Sequence, residues 1–145
     1  MSAPSFRPPA REAGPELLCL QKWEETLGWL LEHTAKWPKS ARFSLVQKVD
    51  RHALDVLEML VVARYEPGAR KKHLREINLR LELLRYLLRI ARARNVMPAT
   101  GFETAMRGLD ELGRMVHGWR VAIGERGALD PGTVEAELVA AGTET

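Results

Sequence analysis

Cysteine is nearly missing from this chain: Cys19 stands alone among 145 residues. An internal disulfide is excluded, and a single thiol suits a reducing cytoplasm. Cys19 sits among Leu17, Leu18 and Leu20, where apolar burial raises a thiol's pKa, so it reads as a core or boundary thiol and not a nucleophile. Long apolar runs are missing too. None approaches the roughly 18 residues a membrane span needs, and Pro4, Pro8, Pro9, Gly14 and Pro15 interrupt any signal-peptide core at the N-terminus. Aromatic residues make up 6%. Period-two alternation is absent over any useful length, so no sheet is expected.

Catalytic and metal-binding patterns are equally scarce. A helical bundle houses a di-metal centre with paired Glu-x-x-His motifs, and this sequence contains no such motif. His33, His52, His73 and His117 fall on separate predicted elements, and His52-x-x-Asp55 occurs once, reading as a boundary histidine. Ser44 and Thr104 have no histidine at motif spacing. No zinc-finger spacing, helix-turn-helix pattern or glycine-rich phosphate loop is present. These observations lead to an expectation of no enzymatic activity, no cofactor and no metal.

What is present is leucine, arginine and helical periodicity. Hydrophobic residues reach 46% and charged residues 28%, the composition of an ordinary globular chain. Residues 1–15 read as a disordered, Pro-rich tail. Residues 16–123 read as one domain, and 124–145 as a flexible acidic tail. A first helix is predicted from about Leu17 to Lys36, with Leu20, Trp23, Leu27 and Leu30 on one face. Trp37-Pro38 ends it. A second runs from Ser40, as N-cap, to about Glu66. Its main stripe is Leu45, Val49, Val56, Leu60 and Ala63, widened by Phe43, Val46, Ala53 and Leu57. Pro67-Gly68 stops it. The third spans about Ala69 to Arg94, and a loop follows from Asn95 to Thr100. The fourth carries Phe102, Ala105, Leu109, Leu112, Val116, Trp119 and Ile123, with Gly124 and Gly127 closing the domain. Trp23, Trp29, Trp37 and Trp119 read as core or helix-end packing. The fold class is therefore all-α. Connections this short imply an antiparallel, up-down-up-down four-helix bundle.

Net charge is only +3, but its distribution is uneven. Residues 17–123 hold 19 Lys and Arg against 12 Asp and Glu, whereas 124–145 hold one Arg against five acids. Ten basic residues lie between Arg64 and Arg94, against Glu66, Glu76 and Glu82. That clustering points to a polyanion or an acidic partner.

The third helix concentrates this charge. At about 100° per residue, Leu74, Ile77, Leu81, Leu84, Leu88 and Ala91 form a core-facing arc. Leu79, Leu83, Leu87 and Ile90 form a second apolar group. Either they cover the bundle's own seams, or they make a self-association interface; the width of the combined arc favours a homo-oligomer. The remaining arc carries Lys71, Arg75, Arg85, Arg89 and Arg92, with Asn78. Glu82 lies within it, able to pair with Arg85 three residues on. Such a ridge is either a solvated face or a binding surface. Its nearly uniform sign and its preference for arginine, whose fork suits phosphate and carboxylate, favour binding. Base-specific readout is not expected: Tyr86 is the only aromatic in this helix, and single-strand recognition calls for more than one stacking platform.

Three segments are similar to a known family. Pro38-Lys39-Ser40-Ala41-Arg42-Phe43 resembles the helix-two opening of the bacterial four-helix-bundle proteins, which include those encoded in intervening sequences of 23S ribosomal RNA genes. The run from Leu81 to Arg89 and the segment from Asp110 to Trp119 resemble one branch of that family, the accessory variability determinants of diversity-generating retroelements. The resemblance implies a barrel-shaped homopentamer that partners the element's error-prone reverse transcriptase. It also implies binding of RNA and DNA without strong sequence preference, in support of mutagenic retrohoming. The partner-binding set would map onto Arg85 and Arg89, with Lys71, Arg75 and Arg92 beside them. Glu82 and the acidic tail depart from a uniformly basic field. The alternative is an intervening-sequence type of bundle, structural or RNA-associated, with no reverse transcriptase.

Overall fold

The computed structural model describes residues 14–127. Of the tails expected on either side, residues 1–13 and 128–145 lie outside the described residues. Among those residues there are four long helices and no strand: α1 (Pro15–Thr34), α2 (Gln47–Tyr65), α3 (Arg70–Ala93) and α4 (Ala99–Gly127). Each helix packs on its sequence neighbours, and α1 and α4 close the square. Pairs across the α1–α4 seam show the antiparallel sense: Lys22 Nζ meets Glu111 at 2.9 Å, while Thr26, four residues later, lies against Gly108, three earlier. None of these helices is long and apolar enough to cross a membrane.

The periodic positions supply the core. Trp23, Val49, Ala53, Val56, Leu60, Leu74, Ile77, Leu84, Leu88, Leu112 and Val116 are wholly buried. Trp37 and Trp119 join them, whereas Trp29 is half-buried. The indole N–H of Trp23 donates to the Ala53 carbonyl at 2.9 Å, which spares a buried donor the cost of going unpaired. At Gly108 the α1 and α4 backbones come close. A methyl there would stand 2.7 Å from Thr26 Cγ2.

Two helix ends differ from the sequence expectation. The second helix does not begin as α-helix at Ser40. Lys39–Ala41 form a 3₁₀ turn and Arg42–Val46 a π turn before α2 proper, and no side chain caps either. The wider π turn rotates earlier residues about the axis relative to a continuous α-helix. Phe43, expected on the apolar face, is consequently 81% exposed. At the other end, α4 continues through Gly124 to Gly127, the last described residue.

The α3–α4 turn is determined locally. Asn95 has φ of 57°, a left-handed conformation that asparagine tolerates. The Val96 N–H reaches back to the Ala91 carbonyl at 2.9 Å and the Asn95 N–H to Arg92 at 3.1 Å. This is the Schellman pattern that satisfies the last carbonyls of a helix. It turns Met97 into the core.

Candidate partner and nucleic-acid interface

The outer face of α3 presents two adjoining strips. The first is apolar. Leu79 is 67% exposed, Tyr86 56% and Ile90 46%, with Leu83 also exposed. Leu87 is half-buried and packs against the core. The second strip is basic, and its members differ in setting. Arg75 and Arg89 are exposed, while Lys71 and Arg92 are half-buried. Arg89 lies over the Tyr86 ring, 5.1 Å from its centroid, so apolar and basic strips meet in a cation–π contact.

Arg85 is occupied within the fold. Its Nη1 reaches Glu82 at 3.0 Å, the pairing expected from the sequence, and its Nε reaches Asp110 of α4 at 3.0 Å. Gly113 permits this approach, since a methyl there would stand 3.2 Å from Arg85 Nη2. Two carboxylates offset this guanidinium, so the outward basic field of the ridge comes from the other members.

Further arginines hold the helices in place, and none was singled out by its spacing. Arg80 Nη1 donates to His52 Nδ1 at 2.7 Å and lies 3.6 Å from Asp55. Burial, then the neighbouring Arg80 charge, pushes the His52 pKa down, against an opposing pull from Asp55. His52 is thus a seam residue between α2 and α3. Arg70 donates from Nε to the Ala63 carbonyl at 2.6 Å and from Nη2 to Arg64 at 2.8 Å. Its guanidinium also sits 5.6 Å from the Trp119 ring centroid. A cation on the last carbonyls of α2 is favourable with respect to the helix dipole.

The remaining polar groups also have structural settings. Asp50 accepts from Thr34 Oγ1 at 2.7 Å. Burial pushes its pKa up, partly offset by that hydrogen bond. Cys19 is fully buried; burial and the nearby Glu16 charge push its pKa up to about 12. No group of three or more potential metal ligands occurs among the described residues.

The fold and its outer face define a class: an antiparallel four-helix bundle whose third helix shows solvent both leucine and arginine. Within that class the chain belongs to the bAvd-like family, which it matches over residues 17–123. That match spans the bundle from α1 into α4. Comparison with curated proteins and with solved structures returned no match.

Proposed function

We propose that this chain is the accessory protein of a diversity-generating retroelement, a cytoplasmic partner of the element's reverse transcriptase with no chemistry of its own. The observation that carries this reading is the family match over the whole bundle. The protein would bind the transcriptase and also hold RNA and DNA without strong sequence preference, in support of mutagenic retrohoming. The exposed strip of Leu79, Leu83 and Ile90, backed by Leu87, would join protomers into a ring, a homopentamer by resemblance. Contiguous exposed leucine on a soluble helix is costly unless a partner covers it. Arg75 and Arg89, with Lys71 and Arg92 beside them, would then recur around the ring, and a weak single-helix contact would become multivalent.

Co-expression with the reverse transcriptase of the proposed element, followed by light scattering of the purified chain, tests this. An oligomer that co-purifies with the transcriptase is expected, with loss of the complex when Arg75 and Arg89 are both changed to Glu. A monomer that ignores both the transcriptase and nucleic acid would overturn it.

A further inference from the structure

One end of the bundle, where α1 and α3 finish and α2 and α4 begin, holds a cavity of about 330 Å³. That is the size range of small-molecule sites. Its lining includes Trp29, His33, Lys36, Trp37, Thr100 and Gly101. The Trp29 and His33 rings are stacked, with centroids 3.8 Å apart and planes 21° from parallel. His33 Nδ1 lies 2.7 Å from the Trp29 carbonyl oxygen. A carbonyl only accepts, so the proton sits on Nδ1, and Nε2 is the ring's second hydrogen-bonding atom.

The charge at this end is mostly of one sign. Residues 32–50 and 88–104, which build it, contain seven Lys and Arg against Glu32, Asp50 and Glu103. The basic ridge of α3 ends close to it along the chain. Arg89 and Arg92 precede Val96 and Met97 of the cavity wall by at most eight residues, about 12 Å at helical rise. Two helices begin and two finish at this end, so their dipoles largely offset one another and the side chains set the field. Stacked rings in an open cavity under a basic field are the two components of a single-strand site: a stacking platform and a track for phosphates.

We propose that this cavity is a nucleotide pocket. It takes one unstacked base of a single strand against the Trp29–His33 pair, while the flanking phosphates run over Lys36 and the Arg89–Arg92 end of α3. The proposal rests on the nucleic-acid reading above and adds to it a preference for single strand over duplex. Every base has a stackable face, so the pocket is compatible with weak sequence preference.

The test compares labelled oligo(dT), oligo(rU), an abasic strand of equal length and a duplex, each titrated into the purified full chain. Two variants address the pocket. Trp29→Ala removes half of the stack. Gly101→Leu adds bulk at the cavity wall from a position whose added Cβ would make only ordinary contacts, with Met97 Cε at 3.7 Å and Trp29 Cη2 at 4.0 Å, and circular dichroism checks that the variant is folded. Base-containing single strands are expected to bind about tenfold more tightly than the abasic strand, the weight of one stacked base. Both variants should erase that difference while leaving abasic binding unchanged, whereas Arg89→Glu should weaken every ligand. Base dependence in only the DNA or only the RNA arm would assign the pocket to that nucleic acid. Equal binding of abasic and base-containing strands, or a difference that survives Gly101→Leu, would overturn the pocket and leave the basic ridge standing. Absence of binding to all four ligands would overturn the nucleic-acid reading together with the pocket.

Discussion

At Asp50 a single carboxylate reports the cost of placing charge at a helix seam. Its pKa is raised above an ordinary value of 3.8 by burial, with the Thr34 hydroxyl acting against the shift. An acid whose folded pKa is raised binds its proton more tightly in the fold than when unfolded. Its effect on stability is therefore most favourable below pH 3.8 and declines as pH rises through the folded pKa. Asp50→Asn keeps an oxygen for Thr34 to donate to and removes the charge. Thermal melts should show the variant gaining on the native protein at pH 7, with the gap closing toward pH 3. A gap independent of pH would mean that Asp50 is not the titrating group. The hydrophobic residues were far more legible than this one. Leu74, Ile77, Leu81, Leu84, Leu88 and Ala91 could be assigned to the core by angle alone, because periodicity is a local property. The Thr34–Asp50 bond joins two helices across a turn, and no spacing rule announces it.

Among the elements, α1 and α4 are held close by the absence of a side chain at Gly108. An alanine there brings its methyl within 2.7 Å of Thr26 Cγ2, a short branched group with little room to move. Overpacking of this kind costs about 1–3 kcal/mol, set against a gain of roughly 1 kcal/mol in helix propensity. Gly108→Ala is expected to lower the melting temperature, and Gly108→Ala with Thr26→Ser, which removes the opposing methyl, to recover part of the loss. An unchanged melt for the single variant would show that the α1–α4 seam yields freely. Helix extents followed from Pro38, Pro67, Gly68 and Pro98, and the structure moves them by only a few residues. The start of the second helix is the exception. Lys39 to Val46 contain no residue that forbids α-helix, yet they form 3₁₀ and π turns, and Phe43 is exposed as a result. Propensity cannot announce such a rotation when each residue in it also suits an α-helix.

For the whole molecule, the proposed ring turns one protomer's ridge into several. Phosphate contacts release counterions, so affinity for duplex or single strand should fall steeply with salt. Arg89→Ala should make the log–log salt slope shallower by about one for each copy of the ridge engaged. Leu79→Glu with Ile90→Glu should separate the protomers and reduce affinity by about 10²–10⁴ through lost multivalency, while far-UV circular dichroism keeps its helical signal. Binding that is indifferent to salt would remove the ridge from the phosphate-contacting surface. Full affinity in a monomeric variant would remove the multivalent explanation.

The sequence by itself determined the all-α class, the order of the helices, nearly all of the core and the two strips of α3. Each follows from residues within one helix, read at 3.6 residues per turn. Its motifs also pointed to the family that the match over residues 17–123 shows. Tertiary structure decided which charges face outward and which rings meet the basic end. Arg85, on the ridge by angle, is held between Glu82 and Asp110, whereas Arg75 and Arg89 remain exposed. Tyr86 is the only Phe, Trp or Tyr of α3 itself. Folding brings the Trp29–His33 stack of α1 to the end where α3 finishes, from more than fifty positions away in the chain. The physical reason is the same in both cases. Periodicity along one helix sorts side chains by direction, but pairing between charges and juxtaposition of rings depend on how separate helices are stacked against one another.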